Sequence, residues 1–367
     1  MTTNTGIYQD IATRTAGDIY IGVVGPVRTG KSTFIKRFME QLVLPNIENV
    51  YERERATDEL PQSGSGRTIM TAEPKFVPEE AVELRLAEGA AFSVRLVDCV
   101  GYMVDSAVGQ FEDLSPRMVM TPWFDHEIPM TEAAEIGTRK VITDHATVGI
   151  VVTTDGTITD IPREDYREAE ERVIRELQDI GKPFVVLVNS AQPEDPRAAA
   201  AAAEIQTRYG VTCRCVNCLT LTEEDIGDIL QDLLYQFPLR ELDVFLPEWV
   251  DALPGEHPIR SGLYQEIGEA ASQLTRICAL PPCLAALSQG ENIESAAAST
   301  IDLGNGVAQV EIRLPRRLFF ETLSQRSGLQ VTDDGDLMQI IGELAEAKRE
   351  YDKVAPALRS ARETGYG

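Results

Sequence analysis

Asp18-Ile-Tyr-Ile-Gly-Val-Val-Gly-Pro-Val-Arg-Thr-Gly-Lys-Ser-Thr-Phe-Ile-Lys36 is the stretch on which the fold turns. Residues 18–24 form an apolar run that reads as a buried strand. Residues 25–32 match G-x-x-x-x-G-K-S, the spacing of a phosphate-binding P-loop. After them Phe34, Ile35, Phe38 and Met39 recur at helical spacing. Strand, loop and helix in that order supply the context the motif needs. Gly25 and Gly30 permit positive φ, so that backbone N–H groups turn inward as an anion nest. A helix beginning near Lys31 adds the positive end of its dipole. Lys31 is a compact charge for the β- and γ-phosphates, and the Ser32 hydroxyl suits Mg²⁺. The expected phosphate-binding set is Gly25, Pro26, Val27, Arg28, Thr29, Gly30, Lys31, Ser32 and Thr33.

The composition limits the partners. There are 59 acidic and 34 basic residues among 367, a formal charge of −25. Phosphate contacts to nucleic acid need basic patches, so nucleic acid is not expected as a partner. The same charge disfavours electrostatic binding to anionic lipid. A hydrophobic content of 43% is enough for real cores. No apolar stretch reaches a membrane span and the first residues do not read as a signal peptide, so a cytosolic chain with reduced cysteines is expected. Cys213-x-Cys-x-x-Cys218 invites a metal reading, but it lies in a run that reads as a buried strand, and core packing is favoured.

Downstream of the loop, residues 46–75 are polar and rich in Gly and Ser, and include Thr68-Ile-Met-Thr71-Ala-Glu-Pro74. A long connection between a P-loop helix and the next strand is where a switch threonine closes over Mg²⁺ and the γ-phosphate. Thr71 is preferred to Thr68 for that role, against the alternative of local turn hydrogen bonds. Two alternating runs, Ala81 to Leu86 and Phe92 to Val97, read as a β-hairpin ending in Asp98-Cys-Val-Gly101. Asp98 at a strand's C-terminal end is expected to hold Mg²⁺, directly or through water, and Gly101 to offer its N–H to the γ-phosphate. Lys31, Thr71, Asp98 and Gly101 are thus the expected catalytic group, and Ser32, Thr71 and Asp98 the Mg²⁺ ligands. Tyr102 takes the position of the polar group that orients water in many such proteins, so either another group places the water or hydrolysis is slow until a partner completes the site. Arg117 and Arg139 are candidates for a further charge on the γ-phosphate. Residues 102–137 read as a long connection in which Trp123 and Phe124 present a surface.

The strands and helices then alternate up to about residue 238, which predicts a doubly wound α/β P-loop NTPase domain of the GTPase-like (TRAFAC) type over 17–238, preceded by a lead-in over 1–16. Its sheet is mostly parallel with one antiparallel hairpin. Asn189-Ser-Ala-Gln192 stands where guanine readers carry N-K-x-D. Asn189 fits the nucleotide set, but the carboxylate that accepts guanine's hydrogen bonds is missing, and ATP is inferred over GTP. A smaller α+β domain is predicted over 239–333, with a hairpin about Gly304-Asn-Gly306 and an interruption at Pro281-Pro282. An amphipathic helix is expected over about 335–354, broken before Pro356, core-packed in preference to serving assembly.

These strings resemble the stage IV sporulation protein A family, the spore-coat ATPases of endospore-forming bacteria. The resemblance is carried by residues 18–36, Asp58-Glu-Leu-Pro-Gln-Ser, Thr68-Ile-Met-Thr-Ala-Glu-Pro-Lys-Phe-Val-Pro, Arg95-Leu-Val-Asp-Cys-Val-Gly-Tyr, Glu135-Ile-Gly-Thr-Arg-Lys-Val-Ile and Thr153-Thr-Asp-Gly-Thr-Ile, with Lys348-Arg-Glu-Tyr-Asp-Lys-Val near the end. It implies a GTPase-like fold that uses ATP and Mg²⁺, slow hydrolysis, and irreversible self-polymerisation into the coat basement layer on the mother-cell side of the forespore. It also implies a small amphipathic membrane peptide and other coat proteins as partners, with membrane contact only peripheral. Carried over, residues 25–32 bind phosphate, Asp98 is the Walker B acid and Thr71 the γ-phosphate sensor. Two departures stand out. The family's sensor pair is Thr-Thr and here it is Thr71-Ala72. Family chains are also expected to continue past the position of Gly367 with a further domain. The alternatives are a regulatory GTPase-like switch and a nucleotide-binding scaffold without significant hydrolysis.

Overall fold

The computed structural model describes residues 5–61, 74–85, 91–104, 106–107, 111–112 and 115–366. The chain divides into two units, one of residues 1–241, 275–278 and 301–307 and the other of the remainder.

The first unit is built on a six-stranded sheet. Helix α1 (Thr5–Arg14) leads into β1 (Asp18–Val24), followed by α2 (Lys31–Phe38) and α3 (Val50–Asp58). Strands β2 (Lys75–Arg85) and β3 (Ala91–Asp98) form the expected antiparallel hairpin. The short pairs β4 (Phe111–Glu112) with β5 (Ser115–Pro116) and β6 (Met118–Val119) with β7 (Ile128–Pro129) precede α4 (Met130–Lys140). Then come β8 (Val148–Thr154), α5 (Arg163–Ile180), β9 (Phe184–Asn189), α6 (Pro196–Tyr209), β10 (Cys213–Val216) and α7 (Glu223–Leu234). The strand order is β10-β9-β8-β1-β3-β2, parallel throughout except for β2 against β3.

Period-two alternation along each strand divides the core between the two faces. Ile19, Ile21 and Val23 of β1 join Ile150 and Val152 of β8, Leu187 of β9 and the apolar sides of α1, α2 and α7. Val24, Val97, Val151, Val186 and Val188 face the opposite way, onto α4, α5 and α6. Helix α2 has eight residues, too few to be helical by propensity alone. Burial of Phe34, Ile35 and Phe38 holds it on the sheet, each large apolar side chain being worth about 1.5–3 kcal/mol. The lead-in is part of this core: Ile7, Tyr8 and Ile11 of α1 are buried in it.

Within residues 102–137 the structure differs from the expected long connection. Helix α4 begins at Met130, and its buried face is Met130, Ala133, Ala134, Gly137 and Thr138. Its small buried residues conceal the apolar periodicity that marks larger helices. Phe124 is partly buried against Ile128 and Ala133, and Lys140 lies over the Trp123 ring. These aromatics pack locally rather than presenting a surface.

The second unit holds α8 (Glu248–Asp251), α9 (Pro258–Ser272), α10 (Leu280–Leu287), α11 (Arg316–Ser327) and α12 (Asp334–Thr364), and all but the end residues of β11 (Glu241–Phe245), β12 (Ser295–Asp302) and β13 (Val307–Arg313). Its sheet runs β11-β13-β12, and β12 and β13 flank the predicted Gly304-Asn-Gly306 turn. Ala308, Val310 and Ile312 point inward, and Trp249, Phe319 and Phe320 stack edge to face. Pro281 and Pro282 do not interrupt a helix but open one. They occupy the first turn of α10, where a missing N–H costs nothing. Helix α12 passes through Pro356 to Thr364, and Ala355 is its one buried residue. The expected break before Pro356 and the expected core packing are both overturned.

One buried ion pair ties the end of β8 to α5. Glu170, 2% exposed, takes two hydrogen bonds from Arg163, at 2.6 and 2.8 Å, and one from the Thr153 hydroxyl at 2.6 Å. Glu170→Ala strands the guanidinium in the core, and about 3–5 kcal/mol of stability should be lost. Urea unfolding measures it; a loss under about 1 kcal/mol, the worth of an exposed pair, would contradict the role assigned to this pair.

Candidate active site

The site lies at the C-terminal ends of β1 and β3. Their parallel register sets Val23 beside Asp98, so the loop after β1 and the turn after β3 leave the sheet together. Gly25 has φ 138°, and a Cβ there would lie 2.3 Å from the Val152 carbonyl oxygen. Gly101 has φ 94°, and a Cβ there would lie 2.2 Å from the Gly25 oxygen and 2.5 Å from Lys31 Nζ. Only glycine permits this approach of the two backbones. Two main-chain hydrogen bonds seal it: Tyr102 N–H donates to Gly25 O at 3.2 Å, and Val27 N–H donates to Tyr102 O at 2.9 Å.

The loop is braced from within and from outside. Thr29 Oγ1 donates to Pro26 O at 3.0 Å. Asn189, buried at the end of β9, donates from Nδ2 to Thr29 O at 2.9 Å and accepts the Cys218 N–H on Oδ1 at 3.0 Å. Its amide therefore holds the loop to β9 and to the segment after β10. Arg28 adopts φ 64°, and Gly30 caps α2 at φ 96° with no side-chain hydrogen bond to the first turn. An uncapped helix N-terminus at this place suits an anion. Thr33 is half-buried in that first turn.

Lys31 is 5% exposed; its Nζ donates to Pro26 O at 2.6 Å and Gly25 O at 3.4 Å. Burial lowers the pKa of its ammonium, while the nearby Cys99 and Asp98 oppose the shift. Ser32 Oγ donates to Asp98 Oδ2 at 2.7 Å. Burial raises the Asp98 carboxyl, with the Ser32 hydroxyl and Lys31 acting the other way. Its second oxygen, Oδ1, is buried without a hydrogen-bond partner. A hydroxyl in contact with a carboxylate whose second oxygen is buried and unmatched, with a lysine nearby, forms a hard oxygen donor set that fits Mg²⁺ alongside phosphate. Ser32 and Asp98 are the residues that would hold the ion.

Lys31, Ser32, Asp98, Gly101 and the residues 25–30 are thus brought together. Thr71, with Thr68 and Ala72, lies outside the described residues. Val27 departs from its expected part: its side chain is 1% exposed and its N–H is engaged by Tyr102, so it shapes the loop from the core side. Tyr102 is also 1% exposed; Arg172 lies over its ring and its hydroxyl donates to Glu176. Arg139 pairs with the same Glu176 at 3.1 Å, which directs its charge to α5 rather than to the loop. Arg117 contributes a main-chain carbonyl to the Met130 N–H at 2.8 Å. Ser190 is buried, its Oγ accepting the Gln192 N–H at 3.1 Å, while Gln192 is exposed. Among the described residues no group of three His, Cys, Asp or Glu is arranged to hold a metal. Cys213 and Cys218 are buried, and burial pushes the Cys218 thiol up to about 12.

The contacts of Tyr102 and Asn189 were not expected from the sequence, because each depends on chain segments far apart. Asn189→Ala leaves the Thr29 carbonyl and the Cys218 N–H without their partner. About 1–3 kcal/mol per buried unpaired group should be lost. Chemical unfolding and a nucleotide titration of the same variant check it; an unchanged midpoint with unchanged affinity would contradict the bracing role.

Comparison with known proteins bears on the whole chain. Residues 2–238 match the family model described as "Stage IV sporulation protein A, ATPase domain", and residues 239–367 that described as "Stage IV sporulation protein A, middle domain". The chain is 46% identical over 361 residues to stage IV sporulation protein A of Bacillus subtilis (strain 168), covering 98% of this chain and 73% of that protein. The figures are 47% over 361 residues for the Bacillus anthracis protein, at the same coverage, and 44% over 364 residues for that of Clostridioides difficile (strain 630), at 99% and 74%. With an NTPase sheet, a loop closed on Asp98 and matches of this extent, the chain belongs to the stage IV sporulation protein A family.

Proposed function

We propose that this chain binds and slowly hydrolyses ATP at the Lys31, Ser32 and Asp98 site, and that hydrolysis drives its assembly into a spore-coat polymer. The observation that carries the reading is the Ser32 to Asp98 hydrogen bond at 2.7 Å beside buried Lys31. In this reading the α2 N-terminus and Lys31 take the β- and γ-phosphates, and Gly101 offers its N–H to the γ-phosphate. Mg²⁺ on Ser32, Asp98 and Thr71 supplies charge neutralisation at the transferred phosphoryl group when bound.

Adenine is favoured over guanine by the 190–192 segment. Gln192 has no carboxylate to accept two hydrogen bonds, and the Ser190 hydroxyl is engaged with the backbone. Slow turnover is favoured by Tyr102, whose hydroxyl is committed to Glu176 and is therefore not available to orient water. Family membership supports a role in sporulation. Among the described residues no helix is long and apolar enough to cross a membrane. The placement proposed is the mother-cell face of the forespore, in the coat basement layer. Self-contacts, a small amphipathic membrane peptide and other coat proteins are the proposed partners.

The coupling is tested by incubating the protein with ATP and Mg²⁺ and following phosphate release and sedimentable material together. Both should appear for the native chain, and both should be lost in Lys31→Ala. Sedimentable material that forms equally in Lys31→Ala would show assembly without hydrolysis. A second arm removes Mg²⁺ with a chelator: nucleotide affinity should fall for the native chain and change little in Ser32→Ala/Asp98→Asn. An equal fall in that double variant would contradict the assignment of the ion to these residues.

A further inference from the structure

The turns that follow β9 and β10 lie beside the phosphate loop, and most of their polar groups hold them in place. Asn189 links the Thr29 carbonyl of the loop to the Cys218 N–H. Arg37 of α2 donates to Leu221 O at 3.4 Å. Residues 218–221 are therefore anchored to the loop at one end and to α2 at the other. Asn217 Nδ2 donates to Ala191 O at 3.2 Å and joins this turn to residues 190–192. There the Ala191 N–H donates to Thr157 Oγ1 at 2.9 Å, and the Gln192 N–H to Ser190 Oγ at 3.1 Å.

Two side chains take no part in this bracing. Leu219 is 71% exposed. Gln192 is exposed as well, and among the described residues its side-chain amide has no hydrogen-bond partner. A single exposed leucine is ordinary on a protein surface. This one stands on a turn pinned to a phosphate loop, across the Asn217 to Ala191 hydrogen bond from an uncommitted amide. Together they offer an apolar surface for a purine ring and a paired donor and acceptor for its edge. The donor pattern then separates the purines. Guanine carries a carbonyl at its six position, which calls for an N–H donor, whereas adenine carries an amino group there, which calls for an acceptor. The N–H groups of residues 218, 219 and 220 are already taken, by Asn189 Oδ1 at 3.0 Å, Asn217 Oδ1 at 2.9 Å and Asn217 O at 3.1 Å. A primary amide matches adenine: its oxygen accepts from the N6 amino group and its nitrogen donates to the neighbouring ring nitrogen.

We propose that Gln192 and Leu219 form the base-reading part of the nucleotide site, Gln192 pairing with the N6 edge of adenine and Leu219 covering a face of the ring. The inference rests on the ATPase reading and adds to it the residues that select the base.

Calorimetric titration of the full chain with ATP, GTP and inorganic tripolyphosphate, each with Mg²⁺, tests it. Gln192→Leu and Leu219→Ser should each weaken ATP about tenfold. Tripolyphosphate, which has no base, should bind both variants as it binds the native chain. Gln192→Glu trades the amide donor for a second acceptor and should turn the preference toward GTP, whose N1 and N2 carry hydrogens. ATP that binds the native chain and the variants alike, or a Gln192→Glu chain that keeps the native preference for ATP, overturns this inference and leaves the ATPase reading standing. Tripolyphosphate weakened in the same measure as ATP also overturns it, since the phosphate loop and not the base would then be affected. A native chain that binds no ATP overturns both.

Discussion

The parallel pairing of β1 with β3 places Val23 beside Asp98, and the chemistry of the site depends on that register. A one-residue slip would turn Asp98 to the other face of the sheet. In register, the loop leaving β1 returns over the end of β3, and α2 begins where the Ser32 hydroxyl reaches the Asp98 carboxylate at 2.7 Å. The sheet around the pair is apolar on both faces. A carboxylate and an ammonium at its edge are both forced toward their neutral forms by burial. The folded chain thus holds, at one point, groups whose polar capacity is only partly met by the protein itself. Such a point is where a phosphate and a hard cation gain most from binding.

Around that point the fold acts as bracing. Gly25 and Gly101 let two backbones approach to distances that a Cβ would forbid. Tyr102 is clamped on the far side by Glu176 and Arg172, and the loop is clamped at its other end by Asn189. The turn after β3 and the loop after β1 are therefore mechanically joined through Tyr102 and Gly25. A change in the turn would be felt at Lys31, whose Nζ binds the same Gly25 carbonyl.

The parts of the fold legible in the sequence were those encoded locally. The strand, loop and helix over residues 18–38, the β2–β3 hairpin and the Gly-capped helices all carry their signals within a few residues. Helix α4 was hidden because its buried face after Met130 is Ala, Gly and Thr. Helix α10 was hidden because prolines mark a helix start as readily as a break. The exposure of α12 was hidden because an amphipathic stripe looks the same whether a core or another chain covers it. At the site, the identities of Lys31, Ser32 and Asp98 were legible from spacing. The inward turn of Tyr102, the engaged N–H of Val27 and the bracing by Asn189 were not, since each arises from contacts between distant strands. Thr71 remains the residue whose part rests on sequence reasoning.

The central claim is that this GTPase-like site now serves adenine nucleotide. Phosphate release from ATP and from GTP, measured in parallel on one preparation with Mg²⁺, tests it most directly. The account predicts release from ATP, with GTP clearly the poorer substrate at equal concentration. GTP hydrolysed faster than ATP, or release from neither, would contradict it.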